Sequence, residues 1–276
     1  MIHGGTTKAA SSAPAPAGAA EAHIEIEGLR HTFNREGRVT HAIERVDLAV
    51  PRGEFVAIVG ASGCGKSTLL KIVAGLLPHS EGRVRFEGQE VRGPQTRLGI
   101  VFQSPVLLEW RNVIDNVLVQ LELRDIDPKP YREKAEQLLR DVGLGDFFDR
   151  LPRELSGGMR QRAAIVRALI HDPPLVMMDE PFGALDALTR EQMRIDLEKL
   201  WLARRQTMVF VTHSIGEAVA LADRVIVMTP RPGKIDRIVP IDLPRPRDKD
   251  VIASKKFSEY VEEITERFMR HGVIRY

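Results

Sequence analysis

Cysteine occurs only once in the 276 residues, at Cys64, which excludes an internal disulfide framework and suits a reducing cytosol. A surplus of either charge is lacking too. Forty Lys and Arg against 38 Asp and Glu leave a formal +2, so the charge balance calls for no nucleic-acid partner. No apolar run approaches the ~20 residues needed to cross a bilayer. The most apolar stretches, Phe55 to Gly60 and Leu175 to Met178, are short and predict buried strands. Residues 1–22 mix Ala, Ser, Gly, Pro and Thr without an apolar h-region, so they read as a disordered, solvated tail and not as a signal peptide. Internal repeats are absent. The expectation is a soluble chain in which any membrane role needs a partner; its apolar fraction of 43% suffices for a sizeable core.

Ordered structure is expected from about His23. Alternating apolar positions from Ile24 to Val50 predict half-buried strands, and Glu54–Val59 a short apolar strand after the turn Pro51-Arg52-Gly53. A glycine-rich loop and a helix over Lys66–Ala74 follow, then strands at Arg83–Phe86 and Leu98–Phe102. From about 104 to 160 the spacing becomes helical, with Val113, Val117 and Leu121 four apart. Strands at Leu175–Met178, Met208–Val211 and Val225–Met228 then alternate with helices, which implies a mainly parallel sheet with a helical insertion. Pro and Arg crowd a linker at 230–247, and Phe257, Val261, Ile264 and Phe268 share one face of a final helix. The expected division is a domain over 23–235 and a C-terminal extension over 236–276.

Gly60-Ala61-Ser62-Gly63-Cys64-Gly65-Lys66-Ser67 fits the phosphate-loop pattern G-x-x-x-x-G-K-[ST], between a strand and a helix. Its glycines let backbone N–H groups close around a polyphosphate, and the helix N-terminus adds partial positive charge. Lys66 can reach the β- and γ-phosphates, and the Ser67 hydroxyl can ligate Mg²⁺. The whole loop with Thr68 is the candidate ATP-binding segment. Cys64 is either a small filler or a thiol whose alkylation blocks nucleotide binding.

Leu175–Met178 ends in Asp179 and Glu180, at the strand end where a parallel sheet places its chemistry. Asp179 would hold Mg²⁺ through water, and Glu180 would act as general base on the attacking water. Gln103, after the strand ending at Phe102, can contact both Mg²⁺ and that water. His213, after Met208–Val211, could donate to the γ-phosphate. Leu155-Ser156-Gly157-Gly158-Met159 precedes a further helix that Ser156 can cap, while Gly157 leaves its amides open to an anion. One nucleotide needs one such helix tip. Two tips in one chain therefore imply a head-to-tail dimer with ATP between the phosphate loop of one copy and Ser156, Gly157 and Gly158 of the other.

With these motifs in this order, from about Ile24 to Lys234, the chain resembles the nucleotide-binding subunit of an ABC transporter. The resemblance implies a P-loop NTPase (RecA-like) α/β fold with an antiparallel β subdomain and an inserted helical one. It also implies a dimer-contact loop at Ala184-Leu185-Asp186 and an aromatic at Phe33 stacking on adenine. Met159 replaces the usual glutamine of the signature, and Glu109 stands where close relatives often carry proline. Val101–Pro105 with Leu107–Arg111, Pro181–Arg190, Thr212–Val219 and Pro230-Arg231-Pro232-Gly233 are similar to importers of the nitrate, sulfonate and taurine group. That implies a homodimer on the cytoplasmic face of the inner membrane, separate permease subunits, and a periplasmic or extracellular solute-binding protein acting indirectly. Leu107, Leu108 and Trp110 are either helical-subdomain core or the place where a short permease helix docks. Members acting on DNA carry a long coiled coil, those on ribosomes two nucleotide domains, and exporters fused membrane helices. A soluble cassette of the iron–sulfur assembly type is opposed only by the narrower motifs.

Overall fold

The computed structural model describes residues 22–274, so the expected tail lies outside the described residues apart from Ala22. β1 (Ala22–Arg35) and β2 (Arg38–Pro51) form a long antiparallel hairpin. β3 (Phe55–Val59) leads into the glycine-rich loop and α1 (Lys66–Val73), and β4 (Glu81–Phe86) with β5 (Gln89–Glu90) returns beside β1. After β6 (Gly99–Val101) come α2 (Val113–Glu122), α3 (Arg132–Asp141) and α4 (Gly157–Leu169). β7 (Leu175–Asp179), α5 (Ala187–Arg204), β8 (Thr207–Thr212), α6 (Ile215–Leu221) and β9 (Arg224–Met228) then alternate. β10 (Gly233–Pro240), α7 (Lys249–Ile252) and α8 (Lys255–Arg270) complete the described chain. The helix starts follow capping chemistry: Asn112, Ser156, Asp186, Ser214 and Ser254 each accept a backbone N–H from the first turn of α2, α4, α5, α6 and α8.

One ten-stranded sheet runs β5-β4-β1-β2-β10-β9-β3-β8-β7-β6. Strands β9, β3, β8, β7 and β6 are parallel, and β1, β2, β4 and β5 antiparallel. The period-two alternation of side chains divides the interior into two cores, because successive residues point to opposite faces. Ala57, Val59, Val176, Met178 and Phe210 join the core beneath the helices α2–α6 and α8. Val56, Ile58, Met177, Val209 and Val211 join the core beneath α1 and the hairpin. All five residues of β3 are buried, which accounts for its unbroken apolar run.

The stretch 230–247 differs from the expected linker. β10 occupies much of it and pairs antiparallel with β9 and parallel with β2, so it welds the antiparallel and parallel parts together. The expected boundary at 235/236 thus falls inside a paired strand. The arginines there serve structure. Arg247 is 1% exposed and donates to the carbonyls of Val219, Ala222 and Ile241; burial pushes its guanidinium down to about 10. Arg245 pairs with Glu198 and Asp223 and lies 4.3 Å over the Trp201 ring. Ile264 and Phe268 of α8 are buried in the helix-side core, while Phe257 and Val261 are half-buried.

Candidate functional site

The glycine-rich loop grows out of the end of β3. Gly63 and Gly65 have φ of +73° and +106°, left-handed values at which an L side chain is strained. A Cβ on Gly65 would also stand 2.9 Å from the Ala42 carbonyl. Lys66 is buried, and its Nζ donates to the carbonyls of Gly60 and Ala61 at 2.9 and 3.1 Å, which folds it back along the loop. Phe33, Ser62, Gly63, Gly65, Lys66, Ser67, Thr68, Gln103 and Glu180 line one open cavity of about 510 Å³, together with Thr40, Ala42 and Arg231. The last three were not anticipated. Thr40 and Ala42 lie in an ordinary strand and Arg231 in a turn 168 residues from Gly63, and nothing in their local sequence points to a site.

Gly60, Ala61 and Cys64 are absent from the cavity wall and form the inner turn of the loop. The Cys64 side chain points into the core beneath α1, and burial pushes its thiol up, against the pull of Lys66. The filler reading therefore fits the geometry. Iodoacetamide at neutral pH is expected to leave Cys64 unmodified in the folded chain, with or without ATP, and to label it only after denaturation. Intact-mass spectrometry checks this.

Asp179 and Glu180 diverge from the end of β7. The Asp179 Oδ1 accepts from the Ser67 hydroxyl at 2.8 Å. Burial, with repulsion from Glu180 added, pushes the Asp179 carboxyl above its ordinary range despite that hydrogen bond. Glu180 has a left-handed φ of 46°, a conformation costing a non-glycine residue roughly 1–3 kcal/mol. Its N–H is held by the Val211 carbonyl at 2.8 Å. The strained backbone carries its carboxylate back over the loop, with Oε1 3.9 Å from Lys66 Nζ and Oε2 3.3 Å from Nδ1 of exposed His213. Among the described residues no three His, Cys, Asp or Glu side chains cluster as a metal site. The Ser67 hydroxyl, the Asp179 carboxylate and the Gln103 amide oxygen are instead the hard oxygen donors that a small divalent cation takes. The backbone just before Gln103 is tied to α4, whose Gln161 Nε2 donates to the Phe102 carbonyl at 3.3 Å.

Ser156, Gly157 and Gly158 do not line this cavity. They form the start of α4, where the Ser156 hydroxyl oxygen accepts the Met159 N–H at 3.2 Å, and Ser156 and Gly157 are exposed. The two glycines differ. A Cβ on Gly158 would stand 2.5 Å from Thr189 Cγ2 of α5, whereas one on Gly157 would meet nothing within 4 Å. Met159 packs half-buried against the helix-side core and leaves the Ser156 cap intact. In the expected dimer-contact loop Leu185 is buried, while Ala184 and Asp186 are exposed and Asp186 caps α5. Leu107 is 7% exposed and Trp110 77%, so the apolar trio divides between core and surface. Buried Asn116 shapes that loop: its Oδ1 accepts the Leu108 N–H at 2.7 Å, and its Nδ2 lies 2.9–3.0 Å from the carbonyls of Leu108, Arg111 and Asn112. Exposed Glu109 makes no demand on that geometry.

A family model described as ABC transporter matches residues 43–183. An uncharacterized ABC transporter ATP-binding protein of Methanocaldococcus jannaschii is 47% identical, over 87% of this chain and 89% of its own length. The aliphatic sulfonates import ATP-binding protein of Bacillus cereus is 39% identical, over 91% and 98%. The taurine import ATP-binding protein of Rhizobium johnstonii is 46% identical, over 83% and 90%. An ATP-binding cassette solved as a dimer in a post-hydrolysis state with ADP and Pi superposes with a TM-score of 0.71 at 31% identity, covering 79% of this chain and 98% of that one.

Proposed function

The chain belongs to the ABC transporter family of ATP-binding cassettes, and from that premise we propose that it energises import of a small anion of the sulfonate, taurine or nitrate kind. It works as a homodimer bound to separate permease subunits at the cytoplasmic face of the inner membrane, with a solute-binding protein delivering the anion on the far side. The importers of sulfonates and taurine among its relatives support this choice over a soluble cassette without a transport role. No helix among the described residues is long and apolar enough to cross a membrane, which accords with permeases on other chains.

The observation that carries the mechanism is the separation of two glycine-rich helix starts. One lines the phosphate cavity; the other faces outward at Ser156 and Gly157. Each can offer N–H groups to an anion, and only a second copy brings both to one triphosphate. The solved relative, itself a dimer, supports that arrangement. Phe33 stacks on the adenine, the loop amides and Lys66 bind the phosphates, Glu180 takes a proton from the attacking water that Gln103 also contacts, and His213 donates to the γ-phosphate. Ser67, Asp179 and Gln103 are the residues that would hold Mg²⁺. When bound, that ion neutralises charge on the phosphate oxygens.

Trp110 is the proposed anchor for a permease helix, since this large aromatic at the head of the helical subdomain is 77% exposed and joins neither apolar core among the described residues. In proteoliposomes with the permease and binding protein, Trp110→Ala should lower solute-coupled turnover about tenfold and leave ATP affinity unchanged. Equal transport by mutant and wild type would reject the assignment.

A further inference from the structure

The turn Pro230-Arg231-Pro232-Gly233 joins β9 to β10 and has no part in the mechanism above. It is built against the phosphate loop. Arg231 Nε and Nη2 both donate to the Gly63 carbonyl, at 3.1 and 3.0 Å, and Arg231 lines the nucleotide cavity. A Cβ on Gly233 would stand 2.1 Å from the Cys64 carbonyl, so only glycine lets the turn sit this close. The turn is itself held: the Thr229 hydroxyl donates to the Pro232 carbonyl at 3.2 Å and accepts the Lys234 N–H at 3.0 Å. Lys234 then enters the pairing with β2.

The Gly63 peptide has freedom to turn. Glycine at a φ of +73° has little steric restraint, and its exposed carbonyl is the wrong end of a dipole to show to a polyphosphate. The guanidinium covers that carbonyl with two charge-assisted hydrogen bonds and puts a cation in the wall instead. It also fixes the peptide plane shared with Cys64, whose N–H closes a tight turn onto the Ala61 carbonyl at 3.2 Å. A lysine would supply the charge without the planar two-donor fork.

We infer that Arg231 is a positioning residue of the nucleotide site, holding the Gly63–Cys64 peptide in its phosphate-receiving orientation and masking the Gly63 carbonyl from the anion. This rests on the nucleotide-binding reading of the loop. The test is equilibrium titration of the full chain with a fluorescent ATP analogue, alongside steady-state ATPase kinetics and thermal melting, for wild type, Arg231→Ala and Arg231→Lys. Arg231→Ala should bind about tenfold more weakly and raise KM by a similar factor. Its kcat should stay within about twofold and its Tm should be unaltered, since the side chain removed is exposed. Arg231→Lys should recover part of the affinity. An alanine variant that binds as wild type does overturns the inference, as does one whose loss falls on kcat with KM unchanged. Failure of wild type to bind the analogue would overturn the nucleotide reading and this inference together, and is recognised before any variant is compared.

Discussion

Glu180→Gln should bind Mg-ATP as wild type does, turn it over about a thousandfold more slowly, and accumulate as an ATP-bound dimer. The substitution keeps the size and planarity of the side chain and the left-handed backbone that aims it. A glutamine can still hydrogen-bond His213, whose Nδ1 lies 3.3 Å from the wild-type carboxylate. What it loses is the ability to take a proton from water. Removing negative charge 3.9 Å from Lys66 Nζ also leaves that ammonium freer to serve the triphosphate, so affinity should not fall. The measurements are ATPase rate and solution mass, with and without saturating Mg-ATP. Rapid hydrolysis by the variant would remove Glu180 from the base role. A strictly monomeric variant under those conditions, with the permease subunits supplied, would end the two-chain site.

The second large effect separates that two-chain arrangement from a single-chain one. Gly157→Asp should leave the fold and the nucleotide affinity of one chain intact while lowering turnover by about a thousandfold, which is ~4 kcal/mol of lost transition-state stabilisation. Within the chain the change is benign: a side chain at Gly157 meets nothing within 4 Å, and a carboxylate in the first turn of α4 is favoured by the helix dipole. A triphosphate brought by a partner copy would meet that carboxylate as a like charge in a water-poor interface, where repulsion is strong. The checks are thermal melting, nucleotide titration and ATPase rate. Normal turnover in a stable Gly157→Asp chain would show that no partner nucleotide approaches this helix. Gly158 cannot serve for this test, because its clash with Thr189 would confound packing with catalysis.

The phosphate loop was legible because all its parts are neighbours in sequence. Eight consecutive residues carry the turn, the amides and the lysine, and a strand and a helix flank them on either side. The same holds for Asp179 and Glu180, which inherit their position from the apolar strand before them. Gln103 and His213 were reached at one remove, through strands whose ends a parallel sheet brings together. β10 is hidden in the sequence, because Pro and Arg at 230–247 look like linker chemistry. Nothing local says that Arg247 and Arg245 spend their guanidinium groups on buried carbonyls and carboxylates of α6 and its surroundings. Leu107 and Trp110 are three residues apart and equally apolar, and only the loop pinned by Asn116 sends one inward and the other out.

By itself the sequence determined the family and the alternation of strands and helices, and it named the candidate groups for binding a triphosphate and for activating the water that attacks it. These depend on short-range constraints: glycine's freedom at φ > 0, the two-residue and 3.6-residue periods, and capping by Ser, Asp and Asn. The tertiary structure alone decided that Gly157 is open while Gly158 is packed, that Cys64 faces the core, and that Arg231 covers the Gly63 carbonyl from the turn after the neighbouring strand β9. Those outcomes follow from which backbones approach one another, set by the order in which ten strands pair, and no local pattern of residues encodes that order.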